Sequence, residues 1–159
     1  MNTIDFAIKM ELEGQNYYLE QAEINKDNEL HTVFTILAAS EKEHAVLLQK
    51  YKMREVLYLS EHFIRPDIKP VFRNLGSFQK EHTEKQLDVY RMASIQEEKS
   101  IELYQDMMKD AADPLDKEVF EYLIKQEKEH LNLFEDLVIM LLRPEEWVES
   151  AEFGVREEY

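Results

Sequence analysis

Apolar residues recur every three or four positions over most of the chain, with polar residues between them. On an α-helix this spacing places the apolar side chains on one face. The pattern predicts four helices, over residues 3–25, 28–60, 78–111 and 114–142. The predicted fold is therefore all-α, which fits a chain with only three Gly and four Pro.

Residues that favour helix ends lie between these stretches. Asp27 and Asp113 are the predicted N-caps of the second and fourth helices, and Ser77 is that of the third. Arg143 and Pro144 are predicted to end the fourth helix.

Connection lengths predict how the helices are arranged. Only a few residues join the first helix to the second and the third to the fourth, so each pair is expected to form an antiparallel hairpin. The segment 60–77 contains two prolines and is predicted to be an extended crossover. Its ~17 residues reach at most about 56 Å at ~3.3 Å each, which is the length of a bundle. Residues 1–143 are thus predicted to be one four-helix domain, and residues 144–159 a tail or short helix.

The chain contains an internal repeat. Shifted by 86 residues, segment 5–51 matches segment 91–137 at 12 of 47 positions, several times more than this composition gives by chance. The matched residues include Glu11 with Glu97, Tyr18 with Tyr104, and Glu-Lys-Glu-His at 41–44 with the same tetrapeptide at 127–130. The two halves of the chain are therefore predicted to share one structure.

Each half carries a Glu-x-x-His motif, and residues three apart project from the same face of a helix. Glu41 and His44 form one pair, and Glu127 and His130 the other. Each motif has a glutamate 30 residues upstream, and these are Glu11 and Glu97.

Helix geometry brings that upstream glutamate to the motif. Glu11 lies 16 residues before Asp27, and Glu41 lies 14 residues after it. At ~1.5 Å per residue, both glutamates are about 21–24 Å from the turn and so at one height. The second half has the same spacings between Glu97, Asp113 and Glu127. Packing the two hairpins about a pseudo-twofold axis is therefore predicted to bring four Glu and two His together.

Four buried carboxylates need a counter-charge, because burial and mutual repulsion both oppose their ionisation. Two divalent cations would provide it, and oxygen and imidazole ligands suit Fe, Mn or Zn. Small residues at Ala7, Gly14, Ala93 and Ser100 are expected to leave room for a bound oxygen species. Two interpretations stay open for Tyr18 and Tyr104: hydrogen bonding to a ligand carboxylate, or ordinary core packing.

Charge and composition exclude several classes of function. A formal net charge of −15 disfavours binding to nucleic acid or to anionic membranes. The chain has no apolar run of ~18 residues and no signal-peptide pattern, so a soluble cytoplasmic protein is expected. It has no cysteine, so thiol catalysis and Cys-ligated iron are excluded, and any electrons must come from an external donor.

The pattern Ala-x-x-x-Glu-x-x-Gly-x-x-Tyr-Tyr at 7–18, its repeat at 93–104 and the paired Glu-x-x-His motifs resemble the rubrerythrin branch of the ferritin-like di-iron carboxylate proteins. The resemblance implies a ferritin-like four-helix bundle with two iron ions. It also implies terminal ligands at Glu11 and Glu97, bridging ligands at Glu41 and Glu127, and one metal each for His44 and His130. This chain departs from rubrerythrins proper in two respects: it has no cysteine-ligated rubredoxin domain, and Ser100 replaces a further carboxylate.

By this resemblance, the expected function is an oxidoreductase that reduces peroxide or oxygen with electrons from a donor protein. Two alternatives stay open: a ferroxidase that handles iron, and a metal-stabilised bundle without turnover. A homodimer is among the assemblies considered.

Overall fold

The computed structural model describes residues 2–59, 63–72 and 80–142, with side chains omitted at 80–82. Four α-helices make up most of this structure: α1 Thr3–Ile24, α2 Leu30–Lys52, α3 Lys80–Asp110 and α4 Pro114–Leu142. A single 3₁₀ turn, Lys69–Phe72, lies in the described part of the crossover. The prediction of an all-α, ferritin-like four-helix bundle is confirmed. No helix within the described ranges is long and apolar enough to cross a membrane.

The helices pair as two hairpins, α1 with α2 and α3 with α4. The apolar core is divided into two clusters. One contains Phe34, Leu37 and Leu133, and the other contains Phe120, Leu123 and Leu47.

Repeat counterparts therefore lie in opposite clusters. Phe34 and its counterpart Phe120 are in different clusters, and so are Leu37 and Leu123. This exchange of ends is what a pseudo-twofold axis perpendicular to the bundle produces, so the predicted symmetry between the hairpins is confirmed. The axis crosses the bundle between the two clusters.

The crossover runs from one cluster to the other. Leu57 and Leu59 pack against the cluster of Phe120, while Ile68, Val71 and Phe72 belong to the cluster of Phe34. Because the chain returns to the opposite end before α3 begins, α2 and α3 are parallel. The helices thus follow an up-down-down-up order, as the length of the crossover indicates.

Helix α2 ends at Lys52, well before the predicted residue 60. Arg54 has φ 59°, a left-handed conformation that stops the helix. Beyond it, Leu57 and Leu59 are partly buried while Tyr58 between them is exposed, an alternation typical of extended chain. The sequence prediction was wrong here because the same apolar residues also fit a helical period.

One of the two predicted caps that the structure describes is correct. Asp113 Oδ1 accepts a hydrogen bond from the Leu115 amide at 2.9 Å at the start of α4. Asp27 does not cap α2, because Asn28 Oδ1 accepts the amide hydrogen of Leu30 at 2.9 Å instead. The predicted cap Ser77, the predicted end at Arg143 and Pro144, and the tail 144–159 lie outside the described residues.

Candidate metal centre

Six polar side chains converge between the two apolar clusters. They are the residues that the sequence predicted to come together, and each is at most 5% exposed: Glu11, Glu41, His44, Glu97, Glu127 and His130. Each helix contributes to the cluster, α1 and α3 one glutamate each, and α2 and α4 one Glu-x-x-His motif each. An apolar layer at either end separates these charged groups from solvent along the bundle axis.

The six residues form two groups of four donors, and in each group the potential ligand atoms lie within 4.8 Å of one another. One group adds Glu11 and His44 to Glu41 and Glu127, and the other adds Glu97 and His130 to the same two glutamates. Glu41 and Glu127 are therefore common to both groups. Such an arrangement can hold two cations with two shared carboxylates.

Contacts across the hairpins link the two groups. His44 Nδ1 lies 3.1 Å from Glu127 Oε1, and His130 Nδ1 lies 3.1 Å from Glu41 Oε1. The central glutamate of each hairpin thus meets the histidine of the other.

The outer nitrogen of each histidine has a partner that sequence reasoning missed. His130 Nε2 lies 2.9 Å from Ser40 Oγ, and His44 Nε2 lies 3.3 Å from Gln126 Oε1. In a neutral imidazole, as metal binding requires, a ring proton on Nε2 is donated to these oxygens, and Nδ1 faces the carboxylates with a free lone pair. Ser40 and Gln126 are repeat counterparts, each one residue before a motif glutamate, and that shared position was the signal available in the sequence.

Tyr18 and Tyr104 donate hydrogen bonds to the upstream glutamates, as one of the two sequence interpretations expected. The Tyr18 hydroxyl lies 2.5 Å from Glu97 Oε1, and the Tyr104 hydroxyl donates to Glu11 Oε1. Each bond joins one hairpin to the other. Burial, with the adjacent carboxylates, raises the pKa of both tyrosines well above 10, so both remain protonated donors. Tyr18 also packs in the core, where its ring stacks against Phe34 and against Phe134.

Without metal, the pKa values of Glu41 and Glu127, the two glutamates common to both groups, favour their protonated forms. Burial and the charges of neighbouring carboxylates raise the pKa of Glu41 and of Glu127 well above 4.5. The protonated form of both carboxyls therefore extends to pH values well above 4.5.

The other two glutamates, Glu11 and Glu97, instead form pairs of opposite charge with the histidines. Burial opposes ionisation of Glu11, but the charge of His44 outweighs it and lowers the pKa of Glu11 to about 2. In the same pair, burial opposes the charged imidazole, but Glu11 raises the pKa of His44 to about 9. Glu97 and His130 shift in the same directions for the same reasons. In the metal-free cluster, these shifts favour two imidazolium cations paired with the carboxylates of Glu11 and Glu97.

Buried oxygens show that the cluster suits a cation. If all four carboxylates are ionised, Glu11 Oε2, Glu97 Oε2 and Glu127 Oε2 are buried and accept no hydrogen bond. Buried acceptors without donors are costly, so a proton or a metal ion has to complete them. The donors are hard oxygens and imidazole nitrogens, which suit Fe, Mn or Zn.

The two sides of the cluster differ in how far they are shielded from solvent. On the side of α2 and α4, the Phe63 ring of the crossover stands edge-on to His130, with ring centroids 4.6 Å apart. Between α1 and α3, a cavity of about 250 Å³ opens beside Gly14 and Ser100 and reaches Glu41 and Glu97. The room predicted beside the small residues is therefore present at Gly14 and Ser100. Ala7 and Ala93 do not line it, because both are fully buried in the apolar clusters.

A family model described as rubrerythrin matches residues 2–138, which includes all six clustered residues. No curated protein matches the chain, and neither does any solved structure.

Proposed function

Because the chain belongs to the rubrerythrin family, we propose that it is a di-iron oxidoreductase that reduces peroxide or oxygen with electrons from an external donor protein. One observation carries the proposal: two buried four-donor groups share Glu41 and Glu127. Purely structural ion pairing would not require that all four carboxylates and both histidines meet with unsatisfied oxygens at the centre.

The proposed ligand roles follow the two donor groups. Glu11 and His44 would hold one ion, Glu97 and His130 would hold the other, and Glu41 and Glu127 would bridge them. The geometry of Glu127 supports a bridging role, because Oε1 lies 3.1 Å from His44 Nδ1 and Oε2 lies 3.3 Å from His130 Nδ1. Two divalent ions balance four ionised carboxylates, so the loaded cluster would be neutral.

When bound in the ferrous state, two iron ions supply the two electrons that reduction of a peroxide requires. The protein contributes position and environment. Ser40 and Gln126 orient the imidazoles, Tyr18 and Tyr104 hold the outer glutamates, and the apolar clusters keep bulk water away.

A second function, oxidation of ferrous iron for storage or delivery, is favoured by charge. The chain has a net charge of −15, and exposed Glu13 lies at the cavity that reaches the cluster. A net negative protein attracts cations, although Lys9 Nζ lies 3.6 Å from Glu13 Oε1 and offsets part of the charge at the entrance. This charge has little effect on neutral hydrogen peroxide.

Rapid mixing of the di-ferrous protein with hydrogen peroxide is expected to separate these functions. For a peroxide-reducing enzyme, one equivalent should oxidise both irons quickly and leave them bound, as optical and metal analysis would record. A ferroxidase should instead react slowly with peroxide, oxidise many added ferrous ions with oxygen and accumulate ferric product, which would refute the favoured function. Glu13→Gln should slow only the ferrous route, with Glu20→Gln as the matched exposed control.

Replacing Tyr18 with Phe is expected to preserve two metal ions per chain and to change the rate of iron oxidation. The change removes a donor to the buried Glu97 carboxylate, so the metal-free protein should lose ~1.5–3 kcal/mol in its free energy of unfolding. Tyr90→Phe is the control, because the buried Tyr90 hydroxyl donates to the neutral side-chain amide of Gln86. Loss of a metal equivalent in Tyr18→Phe would show that the tyrosine does more than hold Glu97.

A further inference from the structure

The cavity between α1 and α3 has a buried polar inner end and an outer part with both apolar and polar side chains. Glu41 and Glu97, both buried, form its inner end. Met10 and Tyr17 of α1 and Met92 of α3 supply its apolar surface, and Met92 is 56% exposed. Exposed Glu13 and Gln96 also line it, so a molecule entering from solvent meets thioether and aromatic surface beside these polar groups before it reaches the buried carboxylates.

Two small residues keep the cavity continuous with the cluster. Gly14 and Ser100 are repeat counterparts, one on each wall. A Cβ on Gly14 would stand 3.5 Å from the carboxyl carbon of Glu41 and so fill the approach to it. The Ser100 hydroxyl lies 3.1 Å from the Gln96 carbonyl of its own helix and 3.5 Å from Met10 Sδ of the opposite wall.

The size of the cavity exceeds what hydrogen peroxide needs. Its volume is about 250 Å³. An apolar cavity of about 150 Å³ binds benzene in another protein, so this space can take an aromatic or short alkyl group. Methionine side chains suit that purpose because they adapt their shape to varied apolar ligands.

We propose that this cavity binds the organic group of an alkyl or aryl hydroperoxide, ROOH, with the –OOH group toward Glu41 and Glu97 and the group R against Met10, Tyr17 and Met92. The inference rests on the proposed function and names its substrate class. Reduction of ROOH to ROH and water breaks the O–O bond and consumes two protons from solvent and two electrons. Two bound ferrous ions would supply these electrons and become ferric, and the external donor protein would afterwards return two electrons.

Binding is tested first without turnover, on zinc-loaded protein carrying ¹³C in its methionine methyl groups. The probe is 2-phenyl-2-propanol, the alcohol product of cumene hydroperoxide. Of the seven methionines, Met10 and Met92 should shift on titration, whereas Met53 and Met140, which do not line the cavity, should not. Ser100→Leu, which places bulk in the cavity, should abolish the shifts, and Ser94→Leu on the same helix should retain them. Unchanged Met10 and Met92 signals in the wild-type protein would overturn the proposal.

Kinetics then test the substrate class. Di-ferrous protein is mixed with hydrogen peroxide or with cumene hydroperoxide, and the ratio of the two oxidation rates is compared between variants. Ser100→Leu should lower the cumene hydroperoxide rate relative to the hydrogen peroxide rate by about tenfold or more, a loss of ~1.4 kcal/mol in transition-state stabilisation. Met92→Trp narrows the mouth at an exposed position and should act in the same direction if Ser100→Leu does not fold.

The outcomes distinguish the two proposals. If hydrogen peroxide oxidises the protein and the rate ratio is the same in wild type, Ser100→Leu and Met92→Trp, the cavity proposal is overturned and the proposed function stands. If neither peroxide reacts, peroxide reduction and the substrate class both fail, and only reduction of oxygen is left of the proposed function.

Discussion

Loading the metal-free protein with ferrous iron under anaerobic conditions is expected to raise its Tm by ~10–20 °C. The donor atoms of each four-residue group come from both hairpins, so an intact site exists only in the folded chain. With free iron at ~100 times Kd, each of two sites adds ~2.7 kcal/mol, and ~1 kcal/mol moves the Tm of a domain of this size by ~2–4 °C. Calorimetry on the apo and loaded protein measures the shift. Identical melting curves would contradict metal binding at this cluster.

The same loading should release about four protons per chain at pH 7, two for each divalent ion. Glu41 and Glu127 each hold a proton because burial and the neighbouring carboxylates raise their pKa. His44 and His130 each hold one on the nitrogen that faces the cluster, because Glu11 and Glu97 raise their pKa despite burial. Binding of two metal ions requires that all four of these protons be released. Titration in weak buffer with a pH indicator counts them, and a release of one proton or none would contradict this arrangement.

The stabilisation by metal should therefore grow between pH 6 and pH 9. The pKa of His44 is raised from 6.5 to about 9, so its contribution to stability is complete below pH 6.5 and is lost as pH rises through 9. The raised pKa of Glu41 and Glu127 acts in the same direction. Above pH 4.5, ionisation of these two groups lowers the free energy of the unfolded chain but not that of the folded chain. Glu11 acts oppositely, but only as pH falls from 4.5 toward 2. Melting curves across this range should show the metal-free Tm falling with pH while the loaded Tm changes little.

Glu127→Gln is expected to reduce metal uptake from two ions per chain to one or none and to remove at least half of the metal-dependent rise in Tm. Both donor groups include Glu127, so its loss affects both ions. The fold should tolerate the change, because burial and the neighbouring carboxylates favour the uncharged form of Glu127 in the metal-free protein, and an amide has the same shape. Elemental analysis after loading and desalting gives the stoichiometry.

Two further variants complete this test. Glu41→Gln, the repeat counterpart, should show the same loss, whereas Glu135→Gln, at an exposed position on α4, should bind as the wild type does. If Glu127→Gln kept both ions at wild-type affinity, Glu127 would not bridge them.

Helix spacing was enough to predict which residues meet at the centre. The rise per residue placed Glu11 and Glu41 at one height, and the repeat placed Glu97 and Glu127 opposite them. The end of α2 was predicted incorrectly, because Leu57 and Leu59 fit a helical and an extended pattern equally well and Arg54 has no side-chain feature that marks a left-handed turn.

Contacts between the hairpins could not be predicted from spacing alone. Tyr18 shares a face with Glu11 of its own helix, but it bonds Glu97 of the other hairpin. Ser40 and Gln126 reach across in the same way to the opposite histidines. Such pairings depend on the rotation of each helix about its axis, to which many apolar contacts contribute. The split of the glutamates into two charged and two protonated groups depends on these distances too.

The pseudo-twofold axis has a consequence for the orientation of a ligand in the cavity. An identical pair of hairpins joined as a homodimer would line any cavity on that axis with two copies of each residue. The single chain is free of that restriction, since Met10 has Gln96 as its counterpart and Gly14 has Ser100. Fusion of the halves thus provides chemically different walls around one centre, and an unsymmetrical molecule can be held there in a single orientation.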